Sequence, residues 1–476
     1  MDIEKYLIKN VFVSSDKVID IVNPYTNEVA KKVFKSPEKD VDTALDYLTE
    51  VQKKYKNVPT YIKSELLQKV SDKIKQRKDE LAYLITLETG KPIKFSKIEV
   101  ERAILTFRLG SELCMQTEGE ILNLDLLKGS ENKIGLVRRF PLGVILAITP
   151  WNFPINLVAH KLSPALASGN VVLLKPASVS LTCGIKVGEL IHEASKEVGL
   201  DFCPVNVVTS SGSEIDKFLA DKRVKMISFT GSSDVGWNIR KKVVYQKVSL
   251  ELGGNAGVIV NEDADIETAV KKISIGGFAQ AGQSCISVQR IFVHKNIYDK
   301  FSEAFLNEAK NIKYGNPFEE DTIVGPMITE KEAERIEEWI HEAEEENGKV
   351  LIGGERKGAI LEPTVMTNVD IKSKVNTKEA FAPFVTLNKF DDFKQAVRMV
   401  DDSEYGLQAG VFTNNMNNAF YAYNNIDVGG VVINDVPTYR MDSMPYGGVK
   451  LSGNSREGVK YAMEEMTELR VMVVQN

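Results

Sequence analysis

The chain has 476 residues, more than one hydrophobic core usually supports, so two or more domains are expected. Its 43% hydrophobic and 26% charged composition is that of an ordinary globular protein. A dispersed net charge of −6 offers no basic stripe for nucleic acid, and no apolar run reaches the length of a membrane span. The acidic start Met1-Asp2-Ile3-Glu4 has no signal-peptide pattern. The four cysteines (Cys114, Cys183, Cys203, Cys285) contain no Cys-x-x-Cys spacing, as suits reduced thiols in a cytoplasm. The four histidines are far apart in sequence and form no metal-ligand spacing, so no metal is expected.

Along the chain, Leu66, Leu67, Val70, Ile74, Leu81 and Ile85 recur at helical spacing and predict one long amphipathic helix over 60–89, stopped by Gly90-Lys91-Pro92. Glu120–Leu127 and Lys133–Phe140 flank a polar turn and read as a hairpin arm. From Gly143 the pattern becomes strand–helix alternation: apolar runs at 143–149, 171–174, 205–208, 226–229 and 248–250 predict a doubly wound parallel sheet. A second alternating series runs from Ala256–Val260 to Val431–Asn434. Two α/β domains therefore meet near 252–255, the kind of junction where ligand clefts form. The C-terminal run Leu469–Val474 reads as an unpaired strand, expected with the hairpin to pair between subunits.

Chemistry concentrates in a few loops. Cys285 ends Gly282-Gln283-Ser284-Cys285 after a stretch of small residues, and Glu251 stands 34 positions earlier in Glu251-Leu252-Gly253-Gly254. A thiol and a carboxylate can together run acyl chemistry without a histidine: the thiol forms a covalent adduct and the carboxylate activates the water that releases it. Pro150-Trp151-Asn152-Phe153-Pro154 follows a buried strand, where an amide side chain can donate to a developing oxyanion. Lys175 with Ser178 could hold a ribose or its phosphate. Gly231-Ser232 between a strand and a helix start is a plausible pyrophosphate seat, although the Gly-x-Gly-x-x-Gly fingerprint is absent.

Taken in order, Pro150–Pro154, Lys175-Pro176, Phe229–Ser232, Glu251–Gly254, Gly282–Cys285, Glu379-Ala380-Phe381-Ala382-Pro383 and Pro445-Tyr446-Gly447-Gly448 resemble the aldehyde dehydrogenase superfamily from about Ile21 to the C-terminus. The resemblance implies an α/β aldehyde dehydrogenase fold: a Rossmann-like cofactor domain (1–118 and 138–252), an α/β catalytic domain (253–434), a small β oligomerisation arm (119–137 and 458–476) and a substrate loop (435–457). It implies oxidation of an aldehyde to an acid with NAD or NADP. Cys285 would be the nucleophile and Asn152 with the Cys285 N–H the oxyanion donors. A thioester would remain after hydride transfer, for Glu251-activated water to hydrolyse. Thr149, Pro150, Trp151, Lys175, Ser178, Gly231, Ser232, Leu252, Glu379 and Phe381 would contact the cofactor. A cytoplasmic homo-oligomer, a dimer of dimers, is expected.

Two departures from the family pattern matter. Alanine stands at 382 where glycine is usual, narrowing backbone freedom beside Glu379. Ser178 stands where NAD-selective members often carry a glutamate that repels a 2′-phosphate, so NADP is expected to be accepted, even preferred. The tail from Gly447 to Tyr461 is most similar to lactaldehyde and succinate-semialdehyde dehydrogenases. Arg102 and Arg440 resemble two anion-binding arginines of the non-phosphorylating glyceraldehyde-3-phosphate dehydrogenases, but Ser284 and Phe153 replace an arginine and a tyrosine of that phosphate site. A short hydroxyaldehyde or semialdehyde is therefore expected ahead of glyceraldehyde 3-phosphate, with a CoA-acylating enzyme as the rival class.

Overall fold

Five parallel strands in the spatial order Val205–Val207, Val171–Lys175, Val144–Ile148, Val224–Thr230 and Lys247–Glu251 form the sheet of the first half in the computed structural model. The model describes residues 2–116 and 119–475; the expected boundary at 118 and the terminal residues 1 and 476 lie outside them. Val171–Lys175 is buried at every position, as its unbroken apolar sequence requires of a strand covered on both faces. The chain moves outward from Val144–Ile148 to one side, then returns to the other side of that strand. The crevice at this reversal lies between the carboxyl ends of Val144–Ile148 and Val224–Thr230, which lead into Pro150–Pro154 and Gly231-Ser232.

Seven strands make the second sheet, in the order Lys349–Ile352, Thr364–Thr367, Phe384–Phe390, Arg290–His294, Gly257–Val260, Gln408–Phe412 and Gly430–Ile433. All neighbours are parallel except the first pair. Alternate side chains enter different cores: Val258, Val260, Ile291 and Val293 face one apolar cluster, Ile259 and Phe292 the other. The first-half core runs from Tyr6 to Leu252 and also takes in Val459, Met463 and Met466 from the helix Val459–Glu465 and its end.

The segment expected as one helix over 60–89 is two, Thr60–Gln76 and Lys78–Thr89, separated at Arg77 (φ −106°, ψ 22°). Apolar spacing continues across the break and no glycine or proline marks it, so periodicity conceals it. The Arg77 guanidinium pairs with Glu189 and Glu193 of the neighbouring helix Leu181–Glu197.

The C-terminal strand is not unpaired. Thr467–Gln475 runs antiparallel along the longer hairpin strand Lys133–Pro141 of its own chain, from Thr467↔Pro141 to Gln475↔Lys133, and Glu120–Asn123 takes the opposite edge. Its backbone groups on that side thus find partners without a second copy. No helix among the described residues is long and apolar enough to cross a membrane.

Candidate active site

The thiol is set by its backbone. After the helix Ile266–Phe278 the chain turns sharply through Gln280, Ala281 and Gly282, at φ 56°, 55° and 63°. Position 282 requires glycine, since a Cβ there would lie 1.9 Å from the carbonyl oxygen of Ala382. The turn delivers Cys285, half-buried, to a cavity of about 360 Å3.

Glu251 ends the outermost strand of the first sheet and lines the same cavity, as does Asn152 at the crevice. Asn152 Nδ2 donates to the Gln283 carbonyl at 3.1 Å, so this amide is tied to the loop that carries the thiol. Its backbone carbonyl accepts from Gln280 Nε2 at 2.8 Å.

Burial dominates the electrostatics. It pushes the Cys285 thiol up to about 12, opposed by a hydrogen bond from Tyr446 and the charge of Arg440. It also holds the Glu251 carboxyl well above the usual range, with the neighbouring Glu457 carboxylate adding to the effect. Glu251 accepts from Ser455 Oγ at 3.2 Å on one oxygen, while its other oxygen is buried with no partner among the described residues. For Glu457, burial is outweighed by Lys161 at 3.4 Å and Arg440 at 2.9 Å, which bring it to about 2.

Pro150, Trp151, Gly231, Ser232, Leu252, Glu379 and Phe381 line the cavity too. Burial lifts Glu379 to about 7, and its carboxylate accepts the Gly254 N–H at 3.1 Å. Thr149 and Lys175 do not line it; they are buried at adjacent strand ends, joined by a 3.2 Å hydrogen bond from Thr149 N to Lys175 O. Ser178 is exposed beyond them. Burial lowers the Lys175 ammonium to about 8, and no carboxylate pairs with it among the described residues. Ala382, where the family usually has glycine, does not take a left-handed backbone; its neighbour Phe381 does, at φ 53°, its ring edge-on to Trp151 at 5.7 Å.

Of the four residues expected at the substrate, all line the cavity. Arg102 is engaged by Asp442 through both carboxylate oxygens, and the centre of the Phe153 ring lies 3.9 Å from the Lys91 ammonium and 5.9 Å from the Arg102 guanidinium. Arg440 forms a salt bridge to Glu457, and its Nε is buried with no acceptor among the described residues. Sequence reasoning missed Tyr446, Glu457 and Lys161. Tyr446 stood inside a quoted motif, but only as a family mark. Nothing in the apolar helix around Lys161 signals a charge beside Glu457.

The model of the Aldehyde dehydrogenase family matches residues 12–472, and the chain belongs to that family. It is an NAD(P)-dependent enzyme that oxidises aldehydes. A 3-sulfolactaldehyde dehydrogenase of Priestia megaterium is 48% identical over 415 residues, covering 87% of this chain and 86% of that protein. A lactaldehyde dehydrogenase of Methanocaldococcus jannaschii is 39% identical over 457 residues, 96% of this chain and 97% of that one. Among solved structures, aldehyde dehydrogenase 21 from Physcomitrella patens, in complex with the product succinate, superposes with a TM-score of 0.97 at 42% identity over 100% of this chain and 98% of its own. A glyceraldehyde-3-phosphate dehydrogenase, GapN, of M. jannaschii complexed with NADP gives 0.93 at 39% identity, over 97% of this chain and 100% of its own.

Proposed function

We propose that Cys285 is the nucleophile, Asn152 and the Cys285 backbone N–H the oxyanion donors, and Glu251 the general base for release. The observation that carries this reading is that thiol, amide and carboxylate line one cavity between the two sheets. Cys285 Sγ attacks the aldehyde carbon to give a thiohemiacetal. One Asn152 Nδ2 hydrogen is committed to Gln283, which leaves the second for the oxyanion. The nicotinamide cofactor, when bound, supplies the hydride acceptor that converts this adduct to a thioester on Cys285. Glu251 first gives up its own proton to solvent through the cavity; its ionised form, a stronger base than a solvated carboxylate because of burial, then takes a proton from the hydrolytic water.

The residues fit such a cofactor. Gly231-Ser232 precedes the ten-residue helix Ser233–Lys242, whose free N–H groups suit a pyrophosphate. The unpaired Lys175 ammonium suits a ribose or its phosphate, and Glu379 the second ribose. Exposed Ser178 offers no carboxylate to repel a 2′-phosphate, so NADP is accepted and favoured.

The substrate is a short hydroxyaldehyde such as lactaldehyde, or a semialdehyde. A cavity of about 360 Å3 that must also admit the nicotinamide end favours a short chain. The acceptorless Nε of Arg440 favours a substrate with a hydroxyl or anionic oxygen. Sulfolactaldehyde, oxidised by the Priestia relative, combines both groups. Glu251 in the cavity favours water over CoA as the thioester's acceptor.

We read 1–118 with 138–252 as the cofactor domain, 253–434 as the catalytic domain, 119–137 with 458–476 as the arm and 435–457 as the substrate loop. The far edge of Thr467–Gln475 is unpaired among the described residues and carries exposed Val471, Met472 and Val473, which supports a homo-oligomer, read as a dimer of dimers; the absence of Cys-x-x-Cys spacing among the four cysteines suits the cytoplasm.

The test is a panel of lactaldehyde, sulfolactaldehyde, succinic semialdehyde and glyceraldehyde 3-phosphate with NAD and NADP, followed by reduced-nicotinamide absorbance, with and without CoA. A hydroxyaldehyde or semialdehyde should give the highest kcat/KM with NADP. An acyl-CoA product, or a preference for the phosphorylated aldehyde, would overturn the reading.

A further inference from the structure

Desolvation pushes the Cys285 thiol up, and a thiol is unreactive at neutral pH unless its surroundings favour the thiolate. No histidine is bonded to this one: the His160 ring, buried nearby, is taken by Asp442 at 2.7 Å. The Tyr446 hydroxyl, 2.9 Å away, is the one side-chain hydrogen-bond partner of Cys285 Sγ among the described residues. Tyr446 is only 3% exposed and packs with Ile286 and Leu407 against the cysteine.

The phenol is also fixed from behind. Backbone hydrogen bonds tie Tyr446 to Glu457 in both directions, N to O at 3.0 Å and O to N at 2.6 Å. The Glu457 carboxylate holds the Arg440 guanidinium at 2.9 Å, and that guanidinium lies 3.7 Å from the centre of the Tyr446 ring. A cation on the ring face draws electron density from the phenol and strengthens its O–H as a donor. Burial and the neighbouring Cys285 keep the Tyr446 proton in place far above neutral pH, so the hydroxyl stays a donor when the sulfur is charged.

We propose that Tyr446 is a catalytic residue whose hydroxyl donates a hydrogen bond to the Cys285 thiolate, and that Arg440, held by Glu457, positions and polarises that donor. The hydroxyl keeps its proton throughout; the thiol proton leaves to solvent through the cavity. A charge-assisted hydrogen bond stabilises the thiolate, whereas a neutral thiol or the thioether of the adduct gains much less.

The proposal rests on Cys285 as the nucleophile, but its test contains no aldehyde, so the two readings fail separately. The rate of Cys285 alkylation by iodoacetamide is measured from pH 5 to 11 in the parent, Tyr446→Phe, Arg440→Met and the double variant, with peptide mapping to confirm the site. Tyr446→Phe should move the rising limb of the rate–pH profile upward by roughly one to two units, so that alkylation at pH 7 is about ten- to a hundredfold slower. Its kcat/KM should fall by a similar factor at pH 7, with cofactor affinity unchanged. Arg440→Met, which does not touch the sulfur, should shift the profile the same way by less, and the double variant should fall short of additivity. A parental alkylation profile in folded Tyr446→Phe would overturn the proposal. Should Tyr446→Phe not fold, an unshifted profile in Arg440→Met would overturn it instead.

Discussion

Gly254 abuts the carbonyl oxygen of Cys285: a Cβ placed at 254 would lie 2.8 Å from it. The segment that begins with Glu251 is therefore packed directly against the one that carries the thiol. The second glycine of Glu251-Leu252-Gly253-Gly254 is thus a spacing element, a meaning invisible in the motif alone. Gly254→Ala should displace Cys285 by a few tenths of an ångström and lower kcat/KM roughly tenfold, with cofactor affinity retained. Steady-state kinetics beside a cofactor titration check this; unchanged kinetics would show that the contact relaxes freely.

Asn152 is buried, and its Oδ1 has no partner among the described residues. Asn152→Ala should lower kcat by roughly two to three orders of magnitude, as removal of a single oxyanion donor does elsewhere, with little change in cofactor affinity. A loss below tenfold in kcat would shift the burden to the Cys285 N–H alone.

Glu379 gives a pH signature in stability. Its folded value of about 7 lies above the ordinary carboxylate value of 4.5, so the folded state binds the extra proton between these limits. Its contribution to stability is therefore fullest below 4.5 and is lost as pH rises through 7. Glu379→Gln, which can still accept the Gly254 N–H, removes that loss. Its melting temperature relative to the parent should climb between pH 5 and 8, by an amount corresponding to at most about 3 kcal/mol. Thermal melts across that range decide it; a pH-independent difference would show that the carboxylate is well solvated.

The proposed cofactor placement makes Ser178 the residue that meets a 2′-phosphate. Ser178→Glu should reduce kcat/KM with NADP at least tenfold while leaving NAD use close to the parent, through repulsion between the new carboxylate and a 2′-phosphate. Equal losses with both cofactors would place position 178 away from the adenosine ribose.

Much of this was legible in the order of residues. Unbroken apolar runs such as Val171–Leu174, short and bounded by turn residues, read as strands covered on both faces, and the strand ends and following loops carried Asn152, Lys175, Gly231 and Glu251 into view. The break at Arg77 was not legible, because apolar spacing passes through it unchanged. Nor was the pairing of the C-terminal strand, since the register of Thr467–Gln475 against a hairpin over 300 residues earlier is a long-range choice. The buried group of Lys161, Glu457, Arg440 and Tyr446 stayed hidden for the same reason: three separate segments supply it, and only tertiary packing brings them to the thiol.

Under the proposed mechanism the acyl group passes through the Cys285 sulfur and leaves only when Glu251 activates water. Glu251→Gln should keep a first-turnover burst of reduced cofactor near one equivalent per site, then turn over at least a hundredfold more slowly than the parent. Acid-quenched enzyme, digested and weighed by mass spectrometry during that slow phase, tests the claim most directly. The expected result is one acyl group on the peptide containing Cys285. A full burst with that peptide unmodified, or an acyl group on a different residue, would contradict it.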